Sequence, residues 1–356
     1  MSGFWNKIVR PVMFALDAER AHELGMSALR NGLARPFYSE EVFPELETEV
    51  FGLRFKNPLG IAAGFDKNGT VVEQLASLGF GFVEVGTVTL KPQPGNERPR
   101  MFRLPADNAL INRLGFNNDG AEAVADRLAK IKRRCIVGVN IGKNRDVAIA
   151  DAVENYVRTY DIVHPVADYI TVNISSPNTP NLRELQKGES LDELLSALTE
   201  RNAEEARKPL LVKIAPDLND AEIRAVVEKC MQYGIDGIIA ANTTISRQGL
   251  QTKEVEAIGA GGLSGRPLTM RSTEVVRRIY EFSDGKLPIV GVGGIFDAND
   301  AFEKFAAGAS LVQAYTGFVY VGPTFAADVC RGLAKCLRDN GFRSIGDAVG
   351  SSVSTR

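Results

Sequence analysis

Histidine is nearly absent from this chain of 356 residues: His22 and His164 are the only two. A His-rich zinc site is therefore excluded, and acid–base chemistry must lean on other side chains. Four cysteines, Cys135, Cys230, Cys330 and Cys336, form no CxxC pair and no metal-ligand spacing. They read as buried free thiols in a reducing compartment. The formal net charge of −2 offers no field to gather nucleic acid. No apolar run reaches the roughly 20 residues that a bilayer-spanning helix needs. The start of the chain lacks the basic, apolar and small-residue order of a signal peptide. A G-x-G-x-x-G fingerprint behind a first strand is also missing, which argues against a dinucleotide fold.

What remains is globular: 44% hydrophobic and 24% charged residues, long enough for one large α/β domain or two ordinary ones. From residue 57 onward, short apolar runs recur, each closed by a polar or glycine-rich turn and followed by helical periodicity. They are PLGIAAG (58–64), FGFVEVG (80–86), CIVGVNIG (135–142), YITVNIS (169–175), LLVKIAP (210–216), GIIAANTT (237–244), PIVGVGG (288–294) and SLVQAYTG (310–317). Eight strand–helix units predict an α/β fold of the (β/α)8 TIM-barrel type, with a doubly wound open sheet as the alternative. LETEVFGLRFKNPL, just upstream, reads as a hairpin around Gly52 that lids the N-terminal mouth. Residues 35–45 read as a proline-containing linker, so the chain divides into an extension, 1–36, and a barrel, 37–356.

In the extension, Phe4, Trp5, Ile8, Val9, Val12, Met13 and Leu16 share one helical face, with Lys7 and Arg10 beside them. Asp17 is placed to N-cap a second helix carrying Leu24, Met26, Leu29 and Leu33. An amphipathic pair of this kind suits a membrane interface; the plain alternative is packing on its own domain. Its apolar side chains have no obvious core to join, because the barrel is complete without them.

Chemistry in such barrels gathers on the loops after the strands. Here those loops supply neutral amides, hydroxyls and two or three lysines, with almost no carboxylate and no histidine. That set suits a planar heterocycle rich in carbonyl and N–H groups, and suits neither a two-metal site nor a glycosidase pair. The glycines of GVGGI and YTG follow strands seven and eight, where barrels cradle phosphate, although tight turns use glycine too. Flavin mononucleotide (FMN) fits both features. The loop in TVNISSPNTPNLREL carries Ser175 and Ser176 before Pro177, and Asn178 and Thr179 between Pro177 and Pro180, more hydrogen-bonding groups than a turn requires.

NPLGIAAGFDKNG, GTVTLKPQPGNERPRMFRL, INRLGFNNDG, GVNIGKN, VNISSPNTPNLR, VKIAPDL, GGLSGRPL, IVGVGGI and GASLVQAYTGF together resemble the dihydroorotate dehydrogenases, from about residue 11 to 330. The serine of SSPNT and the N-terminal extension resemble the membrane-associated, quinone-using class 2, since class 1 enzymes carry cysteine at that serine. The resemblance implies oxidation of dihydroorotate to orotate with FMN and a respiratory quinone, in pyrimidine biosynthesis. It further implies a monomer held peripherally on the cytoplasmic face of a bacterial cell membrane.

Carried over by residue, the resemblance assigns Ser176 as the base and Thr179 as its proton relay. Lys67, Asn112, Arg113, Leu114, Gly115, Phe116, Asn173, Asn178, Asn242 and Thr243 would hold the pyrimidine. Ala62, Ala63, Gly64, Phe65, Asp66, Thr87, Asn140, Asn173, Lys213, Ala241, Gly265, Gly294, Tyr315 and Thr316 would hold FMN, and no metal is implied. His22 and Arg103 would flank the quinone path. Ala241 departs from the pattern, standing where similar bacterial sequences carry threonine. Competing readings are a class 1-like dehydrogenase, a barrel that isomerises or cleaves a sugar phosphate with Lys213 at its centre, and an inactive membrane scaffold.

Overall fold

In the computed structural model, residues 5–179, 181–186, 188–253 and 255–353 are described; Phe4 and Pro180 lie outside them. The strands are β1 (Thr48–Val50), β2 (Leu53–Phe55), β3 (Leu59–Ile61), β4 (Phe82–Val88), β5 (Met101–Leu104) and β6 (Ala109–Asn112). They continue with β7 (Ile136–Ile141), β8 (Tyr169–Asn173), β9 (Leu210–Ile214), β10 (Gly237–Ala240), β11 (Gly262–Gly265), β12 (Ile289–Val292) and β13 (Leu311–Ala314). β3, β4, β7, β8, β9, β10, β12 and β13 close, in chain order and all parallel, into one barrel. Each falls inside one of the eight apolar runs except β4, which extends two residues past its run to Val88, so the (β/α)8 expectation holds and the open-sheet alternative does not.

Both faces of these strands are covered, which is why the runs are apolar throughout rather than alternating. Every residue of β4, β8 and β9 is buried. Inside the barrel the layers change character with height. At the N-terminal end Phe82, Tyr169, Leu211 and Leu311 pack against Val50 and Phe55 of the β1–β2 hairpin, which stoppers that mouth. One layer up sits Glu84, fully buried, its carboxylate accepting from Gln313 Nε2 at 2.8 Å, Asn140 Nδ2 at 2.9 Å, Tyr169 Oη at 3.1 Å and Thr171 Oγ1 at 3.3 Å. Four donors make this buried charge tolerable. Above it the barrel opens.

A third sheet was not expected. β5, β6 and β11 pair antiparallel in the order β11-β6-β5, and β5 joins β6 through a tight turn at Pro105–Asp107. This sheet stands at the open end of the barrel.

The N-terminal extension is helical as expected: a π-helical turn Trp5–Val9, then helices Arg10–Ala15 and Ala18–Arg30. Asp17 caps the second helix, accepting the N–H groups of Glu19 and Arg20 at 3.1 and 3.0 Å. One expectation is corrected here. The helices do have a core to join, because Met26, Leu29 and Ala34 are buried in the same apolar cluster as the barrel. Ile8, Val12, Leu16, Leu24 and Leu33 remain exposed. The stretch 35–45 holds short 3-10 turns at Arg35–Phe37 and at Pro44, and ends against a fully buried Leu46.

Candidate active site

A cleft of about 1080 Å³, open at its mouth, lies over the C-terminal ends of the barrel strands. Its floor is set by Thr87, Asn173, Lys213 and Gln313, all projecting from strand ends just above the Glu84 layer. These side chains are held by one another. Thr87 Oγ1 donates to Asn140 Oδ1 at 2.5 Å, and Asn173 Nδ2 donates to Thr87 Oγ1 at 2.9 Å and to Asn140 Oδ1 at 3.2 Å. Asn242 Nδ2 reaches Ser175 Oγ at 3.0 Å, and Ser175 Oγ donates to Asn173 Oδ1 at 2.9 Å. The network leaves the rotamers little freedom, which is what a preorganised binding surface requires. Lys213 Nζ sits 3.9 Å from Glu84 Oε1; burial lowers its pKa, and the Glu84 charge opposes the fall.

Of the residues expected to hold substrate, Lys67, Asn112, Leu114, Gly115, Phe116, Asn173, Asn178, Asn242 and Thr243 line this cleft, as does Ser176. Ser176 is buried at the edge of its loop, and its Oγ accepts the Asn178 N–H at 3.2 Å. Asn178 Nδ2 in turn donates to Asn112 Oδ1 at 3.3 Å, joining the serine loop to β6. Lys67 makes no hydrogen bond among the described residues. Burial brings its pKa down from 10.5 to about 8, with Glu19 opposing and Arg100 adding to the fall.

Several expected residues stand apart from the cleft surface. Arg113 turns away: its guanidinium donates to Ile258 O and Ala260 O and lies over the Phe102 ring, so of Arg113 and Lys67 only Lys67 lines the cleft. Asp66 is spent on its own turn, accepting from Thr70 N and Val71 N at 2.8 Å. Asn140 acts one step back, through Thr87 and Asn173. Thr179 is buried beside the serine loop without lining the cleft, and Phe65 faces the helix pair. Lys143 and Asn144, which follow β7, are also buried: Lys143 Nζ donates to Asn144 O at 3.0 Å, and the Asn144 N–H donates to Asn155 Oδ1 at 3.0 Å on the helix Ala152–Val163.

Cleft residues missed in the sequence come from two places: Met101, Leu110 and Ser264 from the third sheet, and Val292, Ile295, Gln313 and Ala314 from the ends of β12 and β13, with Asn117 and Leu268 besides. MFRL and ALIN flanking Pro-Ala-Asp-Asn form a hairpin pattern that could have revealed β5 and β6. GGLSG carries no comparable signal for β11.

At one end of the cleft the lining is mostly backbone. Gly265 has φ 102°, and a Cβ there would meet Asn108 O at 2.4 Å; Gly294 has φ 72°, and its Cβ would meet Thr269 Oγ1 at 2.1 Å. Both must be glycine for the chain to approach so closely. The N–H groups of Gly293, Gly294 and Thr316 donate to none of the described backbone acceptors. Gln313 Oε1 and the Tyr315 hydroxyl are buried without a partner among the described residues, and both residues line the cleft. Free backbone donors at one end, and amides and Lys213 along the floor, fit a phosphate joined to a planar heterocycle, as in FMN. Ala241 lines this surface with a methyl group, its N–H already given to Val292 O at 3.1 Å.

A second cavity, about 1390 Å³ and almost wholly apolar, lies between the helix pair and the barrel. Val9, Met13, Phe14, His22, Gly25 and Phe318 are among its walls, and Met101, Leu110 and Tyr315 separate it from the cleft. His22 sits edge-on to Phe65 with ring centroids 5.1 Å apart, and burial takes its pKa down to about 3, so the imidazole is neutral at pH 7. Arg103 also borders this cavity, donating to Met13 O at 2.8 Å and to Leu16 O, with Phe14 beneath its guanidinium at 4.8 Å.

Barrel, phosphate-type cradle and amide floor together define a flavin-binding oxidoreductase site. The family model of dihydroorotate dehydrogenase matches residues 45–337. A dihydroorotate dehydrogenase (quinone) from Roseiflexus sp. (strain RS-1) is 51% identical, with 97% of this chain and 98% of the relative aligned. The enzyme of the same name from Mycobacterium tuberculosis (strain ATCC 25618 / H37Rv) is 46% identical, over 97% of this chain and 98% of its own length. Ligand-free DHODH from Eimeria tenella superposes with a TM-score of 0.90 at 39% identity, covering 95% of this chain and 100% of that one. The chain belongs to the dihydroorotate dehydrogenase family, in its quinone-dependent class 2. It is an FMN-dependent oxidoreductase.

Proposed function

We propose that the cleft carries out the oxidation and that the apolar cavity admits the electron acceptor. The chain oxidises dihydroorotate to orotate, with a quinone as final acceptor, in pyrimidine biosynthesis. When bound, FMN supplies the acceptor for the hydride leaving C6. Backbone N–H groups of Gly294 and Thr316, with Gly265 giving room, would hold its phosphate end, and Thr87, Lys213 and the amide network would hold its ring.

The chain's own part in the chemistry is positioning and proton transfer. Asn112, Asn173, Asn178 and Asn242 present amides to the polar edges of the pyrimidine, and the Lys67 ammonium meets its carboxylate. Ser176 takes the proton from C5. A serine hydroxyl is a weak base, so its own proton must leave, and Thr179 is the relay from the buried loop toward water. The observation that carries this reading is the meeting of Ser176, Lys67, four asparagines and the glycine cradle in one cleft.

Quinone enters through the cavity between helix pair and barrel, with His22 and Arg103 on its walls and Tyr315 at its inner end. The exposed Ile8, Val12, Leu16, Leu24 and Leu33, with Lys7, Arg10, Arg20 and Arg30 nearby, suit adsorption to a lipid surface. Among the described residues no helix is long and apolar enough to cross a membrane, so attachment is peripheral in this reading. The chain acts as a monomer on the cytoplasmic face, a part of the proposal that rests on the family resemblance.

Anaerobic addition of dihydroorotate to the flavin-loaded protein tests the proposal: the flavin absorbance bleaches within one turnover. A full flavin complement that stays oxidised would defeat the substrate assignment.

A further inference from the structure

One buried cation has no part in the chemistry above. Lys304, on the helix Ala298–Ala306, is fully buried. Among the described residues its ammonium is bonded by hydroxyls alone, donating to Ser272 Oγ at 2.7 Å and to Thr273 Oγ1 at 2.9 Å. Its aliphatic stem runs under β12, where a Cβ on Gly291 would lie 3.1 Å from Lys304 Cδ. Asp300, a turn earlier, is engaged elsewhere, by Arg266 Nη1 at 2.6 Å and by the N–H groups of Phe296 and Asp297. Burial lowers the Lys304 pKa to about 7, against the charges of Asp300 and Glu303. A buried ammonium without a bonded carboxylate is costly, and methionine would fill the same space without that cost.

The direction of the hydrogen bonds shows where the charge acts. Lys304 donates to Ser272 Oγ, and Ser272 Oγ donates onward to Gly293 O at 3.0 Å, with Thr269 O as its other acceptor at 3.2 Å. Gly293 O belongs to the same peptide unit as the Gly294 N–H. A hydrogen bond to a peptide carbonyl polarises the unit and makes its N–H a stronger donor. That N–H is one of the unengaged donors at the glycine end of the cleft. A cation, a hydroxyl and a peptide dipole thus line up behind the turn, all with their positive ends toward the cleft.

We propose that Lys304 is a positioning residue for the cofactor phosphate, its charge relayed through Ser272 and the Gly293–Gly294 peptide to the anion-binding turn. The assignment rests on the FMN reading of the cleft. A dianionic phosphate adds counter-charge for an ammonium that, among the described residues, is bonded to no carboxylate, and Thr273 only completes its coordination.

The test compares FMN with riboflavin, which has the same ring and no phosphate. Full-length protein is stripped of flavin and titrated with each, following flavin fluorescence, for wild type, Lys304→Met, Ser272→Ala and Thr273→Val. Lys304→Met and Ser272→Ala each weaken FMN by about tenfold and leave riboflavin unchanged, the size expected for losing one charge-assisted bond. Thr273→Val leaves both affinities as in wild type. A Lys304→Met protein that loses FMN and riboflavin equally, or neither, overturns the proposal. Should Lys304→Met fail to fold, Ser272→Ala and Thr273→Val decide, and equal FMN affinity in the two overturns it as well. A wild-type protein that binds riboflavin as tightly as FMN would instead remove the phosphate reading of the cleft itself, and Lys304 with it.

Discussion

The Arg100 guanidinium grips the Glu19 carboxylate with Nε at 3.0 Å and Nη2 at 2.7 Å, and both side chains are buried. Arg98 adds a bond to the same carboxylate at 3.1 Å. Arg100 also donates to the carbonyls of Pro94 and Asn96, and Asn96 Nδ2 donates to Asn178 O at 3.3 Å. The helix pair is thereby pinned to the loop that carries the serine. Removing one partner of a buried pair costs about 3–5 kcal/mol, because the other charge is stranded. Glu19→Ala is therefore expected to release the helices, read as a lower urea midpoint and early proteolysis near residue 36. Burial pushes the Glu19 carboxyl up, but the bond to Arg100 and the charges of Arg100, Arg98 and Lys67 outweigh it and bring the pKa below 4.5. A depressed carboxyl stabilises above its unfolded value and loses that contribution as pH falls through its folded one. Wild type should accordingly loosen here in acid below pH 4.5, and Glu19→Ala should show no such transition.

Ser176→Ala should keep its flavin and slow flavin reduction by dihydroorotate by about 10²–10⁴, the worth of a positioned general base. Thr179→Val should lose less, since water can stand in for a relay. Stopped-flow absorbance separates the two. A wild-type rate in Ser176→Ala would remove Ser176 as base and make the fully buried Ser175 the next residue to replace.

Lys67 gives a pH dependence whose sign follows from its charge. With a pKa of about 8 in the free protein, the ammonium is present below that pH and lost above it. The KM for dihydroorotate should then rise as pH passes upward through about 8. Lys67→Met should show a KM raised about 10–100-fold and flat across the same range, the loss of one charge-assisted bond. A wild-type KM that is level from pH 7 to 9 would argue against a charged Lys67 at the substrate carboxylate.

The barrel was legible because each strand is a self-contained apolar run, and much of the cleft because Asn173, Asn242 and Lys213 sit within two residues of a strand end, although Gln313 on its floor was not foreseen. What stayed hidden depends on partners far apart in the chain. β11 has no strand character of its own and exists because β6, about 150 residues earlier, offers it an edge. Glu19 reads as a helix-surface glutamate until Arg100 is seen against it, and Arg113 reads as a substrate cation until its bonds to Ile258 and Ala260 are drawn. Lys304 has the pattern of a solvated helix lysine, and only the tertiary packing of its helix against Ser272 buries it. Local pattern identifies groups that act through their own loop; groups that act through a partner need the fold.

The apolar cavity allows the two half-reactions to be separated by one substitution. Gly25 lies in the interior of the helix Ala18–Arg30, borders the cavity, and has no atom within 4 Å of the position a Cβ would take. Leucine there should project into the space where the acceptor passes, without pressing on backbone. Replacing a mid-helix glycine with leucine also favours the helix by up to about 1 kcal/mol, so a loss of function cannot be blamed on unfolding. The cleft lies on the far side of Met101, Leu110 and Tyr315 and should not feel the change. Gly25→Leu is thus expected to bind FMN and be reduced by dihydroorotate at the wild-type rate, yet to be reoxidised by a long-chain quinone at least about tenfold more slowly. Measuring reduction and reoxidation separately by stopped flow gives both numbers. Undiminished reoxidation by the quinone would place the electron exit somewhere other than this cavity, and equal slowing of both halves would show that the helix pair shapes the cleft as well as the path out of it.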